Sequence, residues 1–173
     1  MQNRSGNDAM DSPTNAKPLG VLMVCLGNIC RSPMAEGVLR ARLQEAGLDA
    51  RVHVDSAATG RSHVGHAPDE RAIACAAKHG VDISEQRARA LVLEDFTEFD
   101  IILCADRTIL HDARIRKPRT AHADVELLME WSGLGRKDVP DPYYGDPRDF
   151  SRAWKLVDAA AAGVVERIRQ ERF

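Results

Sequence analysis

The chain has 173 residues, enough to bury one substantial core and hardly two. Its 24 Lys and Arg against 26 Asp and Glu leave a net charge of −2 with no long basic block, which argues against nucleic acid as a partner. No apolar run approaches a membrane span or a signal-peptide core, and the four cysteines at 25, 30, 75 and 104 are not spaced as a secreted disulfide framework.

Residues 1–18, rich in Asn, Ser, Asp, Gly and Pro, read as a disordered tail, leaving a single domain over 19–173 that is expected to be cytoplasmic and monomeric or weakly dimeric. Leu19–Val24 is a continuous apolar run suited to a central parallel strand. It delivers Cys25 into the loop Cys25-Leu26-Gly27-Asn28-Ile29-Cys30-Arg31-Ser32-Pro33. A helix follows from Ser32 to about Ala46, with Ala35, Val38, Leu39, Leu43 and Ala46 on one face and Gly47 as its stop. Arg51–Ala57 alternates as a second strand, and Pro68–His79, closed by Gly80, reads as a second helix. Phe99–Cys104 is a third buried strand, and Val125–Met129 is either a fourth strand or a helical turn. Asp149–Arg169 carries Phe150, Trp154, Val157, Val164 and Ile168 at helical spacing. Strands alternating with helices predict an α/β fold: a doubly wound three-layer sandwich with a central four-stranded parallel sheet flanked by helices. Such sheets bind ligands beyond the carboxyl ends of their strands, where Cys25, Gly60, Asp106 and the segment around Asp141 can gather.

The loop from Cys25 has the parts of an oxyanion cradle. Curled backbone over Leu26, Gly27, Asn28, Ile29, Cys30, Arg31 and Ser32 turns successive N–H groups inward, a nest for a tetrahedral anion such as phosphate. Gly27 takes positive φ at no cost and Asn28 tolerates it. Ser32 reads as an N-cap and Pro33 as a first helical residue, so the helix dipole points back at the loop. Arg31 supplies a planar fork for two oxygens of the anion. A free thiol, with a pKa of ~8.5, is a poor nucleophile at neutral pH, and these same groups favour its thiolate. The alternative, Cys25 as a small buried hydrophobe, explains neither the arginine nor the strand-to-helix placement.

The second half of such chemistry is a general acid for the leaving group. Asp138, Asp141 and Asp146 all lie in the loop-like stretch Asp138-Val139-Pro140-Asp141-Pro142-Tyr143-Tyr144-Gly145-Asp146-Pro147, and composition does not choose among them. Tyr143 and Tyr144 are either packing residues or the wall of a slot for a phenyl ring. The Ser32 hydroxyl can reach the thiolate, cap the helix, or do both. Asn28 is expected to brace the loop. The histidines, His63 and His66 included, lack the carboxylate or cysteine pattern of a metal site, so no metal is assigned and no cofactor is expected.

The chain resembles the low-molecular-weight protein tyrosine phosphatases. The carrying residues are Cys25 to Pro33, Asp55-Ser56-Ala57-Ala58-Thr59-Gly60, Asp95-Phe96-Thr97-Glu98-Phe99-Asp100 leading to Ala105-Asp106, and Asp141-Pro142-Tyr143-Tyr144-Gly145-Asp146. The resemblance implies hydrolysis of protein phosphotyrosine through a cysteinyl-phosphate on Cys25, with Arg31 holding the phosphate. It also implies Asp141 as the acid, Tyr143 and Tyr144 beside the aryl group, and Asp106 supporting a tyrosine of the acid loop. By residue type alone, Asp106 is a cap for a helix over 107–114.

Three positions depart from the family pattern. Arg61-Ser62 stands where an aromatic often lines the pocket mouth, Gln86 where a histidine is usual, and Ile109 where a polar residue is common. Arsenate reductase chemistry on the same loop needs further cysteines close together, whereas Cys75 and Cys104 are isolated. Phosphoarginine hydrolysis is associated with threonine in the place of Ile29. A noncatalytic phosphoprotein-binding module would have no need of Cys25, Arg31 and Asp141 together. Cys30, five residues after Cys25, is a candidate redox partner for it.

Overall fold

Seven residues, Leu19–Cys25, form β1, buried from Gly20 onward. The structure is a computed structural model and describes residues 16–171. After β1 come α1 (Arg31–Glu45), β2 (Val52–Ala58), α2 (Glu70–Lys78), a short α3 (Asp95–Glu98), β3 (Ile101–Cys104), α4 (Arg107–Arg116), β4 (Asp124–Leu127), a one-turn α5 (Leu128–Trp131) and the long α6 (Pro147–Glu171). The four strands lie in the order β2-β1-β3-β4, every pair parallel. Most of the tail expected over 1–18 lies outside the described residues; Ala16, Lys17 and Pro18 are exposed and irregular.

The period-two alternation of β1 feeds two cores. Val21, Met23 and Cys25 pack with Met34 and Leu39 of α1, Ala72 of α2, and Phe150 and Trp154 of α6. Leu22 and Val24 face the other way, against Phe96, Ile102, Ile109, Leu110 and Val125. This is the expected three-layer sandwich. Gly163 lets α6 approach the α5 turn closely, since a Cβ there would overlap the Ser132 carbonyl.

Several boundaries differ from the sequence reading for local reasons. The third strand starts at Ile101, because the Phe99 N–H closes the α3 turn onto Asp95. The second helix starts at Glu70, capped by the Asp69 carboxylate on the Arg71 N–H. The run Val125–Met129 divides: strand through Leu127, then the α5 turn. Ser32 is not an N-cap; Cys30 holds that position without a side-chain cap, and Ser32 lies inside the first turn of α1.

Chain order reverses direction in the sheet between β1 and β3. The carboxyl ends of those strands, at Cys25 and Cys104, therefore border the crevice where open α/β sheets bind ligands.

Candidate active site

Between β1 and α1 the chain turns through five residues, and carbonyls along the turn, from Cys25 to Ile29, are tied to two other segments. The Thr59 N–H bonds the Cys25 carbonyl at 3.0 Å, the Gly60 N–H bonds Leu26 at 2.9 Å, and the Asp69 N–H bonds Ile29 at 2.8 Å. Asn28, with φ 56°, is the one non-glycine at positive φ among the described residues. Its side chain stabilises that conformation: Nδ2 donates to Ser32 Oγ at 2.8 Å and Ser56 Oγ at 2.9 Å, while Oδ1 accepts from the Arg89 N–H at 3.1 Å. The Asn28 N–H points at the Cys25 sulfur from 3.3 Å, an inward amide of the kind expected. Gly27, by contrast, does not use positive φ. Its lack of a side chain makes room for His63, whose ring would lie 3.1 Å from an added Cβ.

Cys25 is buried with its Sγ 3.0 Å from Ser32 Oγ. The polar chain continues inward, since Ser56 donates to Glu36 Oε1 at 2.9 Å. Burial pushes the Glu36 carboxyl up to about 7, against the opposing pull of the Ser56 hydrogen bond and of Arg40.

Arg31 is buried too, and one edge of its guanidinium is fixed. Nη1 donates to Asp106 Oδ2 at 2.6 Å and to the Val139 carbonyl at 3.0 Å, while Nη2 faces Asp141 Oδ2 at 3.6 Å. Burial works against the charge, but the Cys25 sulfur, Asp106 and Asp141 outweigh it and hold the guanidinium more firmly protonated. Asp106 does two things at once, pairing with Arg31 and capping α4 through the Ile109 N–H at 2.8 Å. Its partners are thus the arginine and the helix, rather than the tyrosine expected from the resemblance.

Cys25, Arg31 and Asp141 meet in one pocket of about 210 Å³, lined also by Leu26, Gly27, Ile29, Cys30, Tyr143 and Tyr144. Tyr144 is almost fully exposed and packs edge-on to Tyr143, centroids 4.9 Å apart. The rival carboxylates are engaged elsewhere. Asp138 takes three hydrogen bonds from Arg107, which outweigh its partial burial and lower its pKa; Asp146 accepts from the Arg148 N–H at the start of α6.

One wall residue and one residue behind the wall were not signalled by the sequence. His63, weighed there only as a metal ligand, lines the pocket beside Ser62 with its ring centroid 5.9 Å from that of Tyr143. Arg71, on α2, reaches the carbonyls of Tyr143 and Gly145. Of the departures, Ile109 is simply core, while Gln86 donates to the Pro33 carbonyl at 3.1 Å and leaves its own buried Oε1 without a hydrogen-bond partner.

All four cysteines are free and buried. Cys75 lies on α2 and Cys104 in β3, as expected. Among the described residues no helix is long and apolar enough to cross a membrane.

A strand, a tight loop and a helix, with a carboxylate and two tyrosines across the pocket, set the chain among a group of known proteins. The sequence model described as low molecular weight phosphotyrosine protein phosphatase matches residues 20–173. The fission yeast protein of that name is 43% identical over 145 residues, 82% of this chain and 92% of its own. A protein tyrosine phosphatase of Entamoeba histolytica superimposes with a TM-score of 0.83 at 29% identity, over 90% of this chain and 99% of that one. A Drosophila arginine phosphatase superimposes with a TM-score of 0.79 at 26% identity, over 86% and 97%. On the extent of the sequence match and the shared fold together, this chain belongs to the low molecular weight phosphotyrosine protein phosphatase family.

Proposed function

We propose that this protein hydrolyses phosphotyrosine in phosphoproteins, and that residues 19–173 carry the activity as one domain. The observation that carries the reading is the Cys25 sulfur at the floor of a pocket walled by Arg31, Asp141, Tyr143 and Tyr144. In the first step the Cys25 thiolate attacks phosphorus in line; the S–P bond forms as the P–O bond to the phenol breaks, and Asp141 gives its proton to the departing oxygen. In the second step Asp141 takes a proton from water as its oxygen attacks phosphorus, and the electrons of the S–P bond return to sulfur as thiolate. Amides of residues 26–32 and the Arg31 guanidinium hold the three equatorial oxygens, where positioned donors contribute most of the acceleration. The Ser32 hydroxyl, 3.0 Å from Sγ, favours the thiolate as a leaving group. Tyr143 and Tyr144 flank the aryl ring.

Two features of the surroundings belong to the same proposal. Four buried, unlinked cysteines suit a reducing cytoplasm. Cys30 lines the same pocket as Cys25, which supports a role for its thiol in trapping an oxidised Cys25 as a disulfide.

The test is a substrate panel of aryl phosphate, phosphotyrosine peptide, phosphoarginine and arsenate, each with wild type and Cys25→Ser. Phosphotyrosine turnover lost in Cys25→Ser is the expected result. Dominant turnover of phosphoarginine would reassign the substrate, and persistent turnover by pure Cys25→Ser protein would overturn the mechanism.

A further inference from the structure

The segment carrying Asp141 has few means of holding itself in place. It contains Pro140 and Pro142, which offer no backbone N–H, and it lies between α5 and α6 outside regular structure, ending at Pro147, the first residue of α6. Its leading end is pinned, because the Val139 N–H bonds the Ala105 carbonyl at 2.8 Å and the Val139 carbonyl accepts from Arg31 at 3.0 Å. Its trailing end closes on the start of α6, where the Asp149 carboxylate accepts from the Asp146 N–H at 2.9 Å, and is tied to the rest of the fold by one side chain from another helix.

We propose that Arg71 is a positioning residue for the general acid, holding the loop of Asp141 in fixed relation to the loop of Cys25. Arg71 Nη2 donates to the Tyr143 carbonyl at 2.9 Å, and Nη1 to the Gly145 carbonyl at 3.2 Å. The N–H of the same Tyr143 donates to Asp141 Oδ1 at 3.2 Å. A single residue therefore separates the guanidinium from the carboxylate, which hangs between two carbonyls anchored by arginines, Val139 on Arg31 and Tyr143 on Arg71.

Arg71 is itself anchored to the phosphate-binding loop. Asp69 accepts from Arg71 Nε at 3.0 Å and Nη2 at 2.9 Å, while the Asp69 N–H bonds the Ile29 carbonyl at 2.8 Å. The guanidinium also lies 4.6 Å from the centroid of the Phe150 ring. Each charge stabilises the other: the Arg71 hydrogen bonds lower the Asp69 pKa, and the hydrogen bond to Asp69 raises that of Arg71. Grasping a carboxylate along one edge and two carbonyls along another needs the planar guanidinium fork; the ammonium of a lysine cannot span them.

The inference rests on Asp141 being the acid, and the test separates the two. Arg71→Met, Arg71→Lys, Asp69→Asn and Asp141→Asn are assayed on aryl phosphates of increasing phenol pKa, reading kcat/KM, which reports the first step, together with inhibition by inorganic phosphate. For poor leaving groups Arg71→Met is expected to lose roughly 10–100-fold, the scale of an ångström's misplacement of a reacting group. Phenols that need no proton should react within about threefold of wild type, and phosphate inhibition should be unchanged. Arg71→Lys should fail to rescue, Asp69→Asn should shift in the same direction, and Arg71→Met added to Asp141→Asn should cost little more. A loss uniform across leaving groups, weakened phosphate inhibition, or full activity in Arg71→Met would overturn the positioning role while leaving Asp141 as the acid. Absence of leaving-group dependence in Asp141→Asn would overturn both.

Discussion

The Ser32 hydroxyl lies 3.0 Å from the Cys25 sulfur and accepts from Asn28 Nδ2 at 2.8 Å, so the serine's own proton is directed at the sulfur. The other Asn28 amide hydrogen goes to Ser56, which in turn donates to Glu36. Every donor in this chain is thereby oriented, with a carboxyl at one end and a sulfur at the other. Removing the Ser32 hydroxyl takes one hydrogen bond from the thiolate and leaves an Asn28 N–H unpaired. Hydrogen bonds to charged groups contribute about 1.5–3 kcal/mol, so Ser32→Ala is expected to cost on the order of 10–100-fold in kcat. If breakdown of the cysteinyl-phosphate is what suffers, rapid quenching should find more phosphoenzyme in the variant than in wild type.

Cys25→Ser should abolish turnover while retaining fold and phosphate binding, because the amides and Arg31 remain. Arg31→Ala should lose both binding and rate, since one guanidinium serves ground and transition states. Titration with inorganic phosphate followed by fluorescence distinguishes the two variants. Equal phosphate affinity in both would contradict the assignment of Arg31.

Asp141→Asn is expected to reduce turnover of poor leaving groups by about 10²–10⁴-fold and to spare activated phenols. Asp138→Asn should have a smaller, uniform effect, because Asp138 is occupied by Arg107. Asp146→Asn should act only through the start of α6, where it meets the Arg148 N–H. Comparable leaving-group dependence in either of these variants would move the acid from Asp141.

Brief peroxide treatment should oxidise the Cys25 thiolate to a sulfenic acid, which the Cys30 thiol converts to a disulfide with release of water. Burial, with Asp69 adding to it, pushes the Cys30 thiol well above its ordinary range, so trapping should be slow and should accelerate with pH. Wild type should recover on dithiothreitol and Cys30→Ser should not. Peptide mass spectrometry that finds no Cys25–Cys30 linkage, with equal recovery of both proteins, would remove the idea.

Glu36 gives the protein a pH-dependent stability with a definite sign. Its carboxyl is raised from 4.5 to about 7 by burial, so the folded state holds its proton where the unfolded chain has released it. That contribution is fully present below about pH 4.5 and is lost as pH rises through 7, amounting to a few kcal/mol at about 1.4 per pH unit. Glu36→Gln does not carry the buried charge. Relative to wild type, its Tm should therefore be several degrees higher at pH 8 than at pH 5. A Tm difference that is flat with pH would show that Glu36 does not titrate in this range.

The sequence by itself determined what is local or periodic. An apolar strand, Cys25, a tight loop, Arg31 and a helix start lie within the fifteen contiguous residues 19–33, so their order already implies an anion cradle. Alternating periods of two and 3.6 likewise implied the parallel sheet, because burial on both faces leaves a long apolar trace. Tertiary structure decided among residues that local sequence treats alike. Asp138, Asp141 and Asp146 share one proline-rich loop, and what separates them is their partners: Arg107 for the first and Arg31 for the second, both far along the chain, and the adjoining start of α6 for the third. Ser32 looks like a helix cap until the strand end brings the Cys25 sulfur beside it, and Asp106 is a cap that also holds Arg31, which reaches it from 75 positions away. Asp69 and Arg71 read as the opening of an amphipathic helix, and only packing sets one against Ile29 and the other against Tyr143. A side chain's backbone preference is fixed by its neighbours in sequence, but its hydrogen-bond partner is fixed by which distant segments the core brings together.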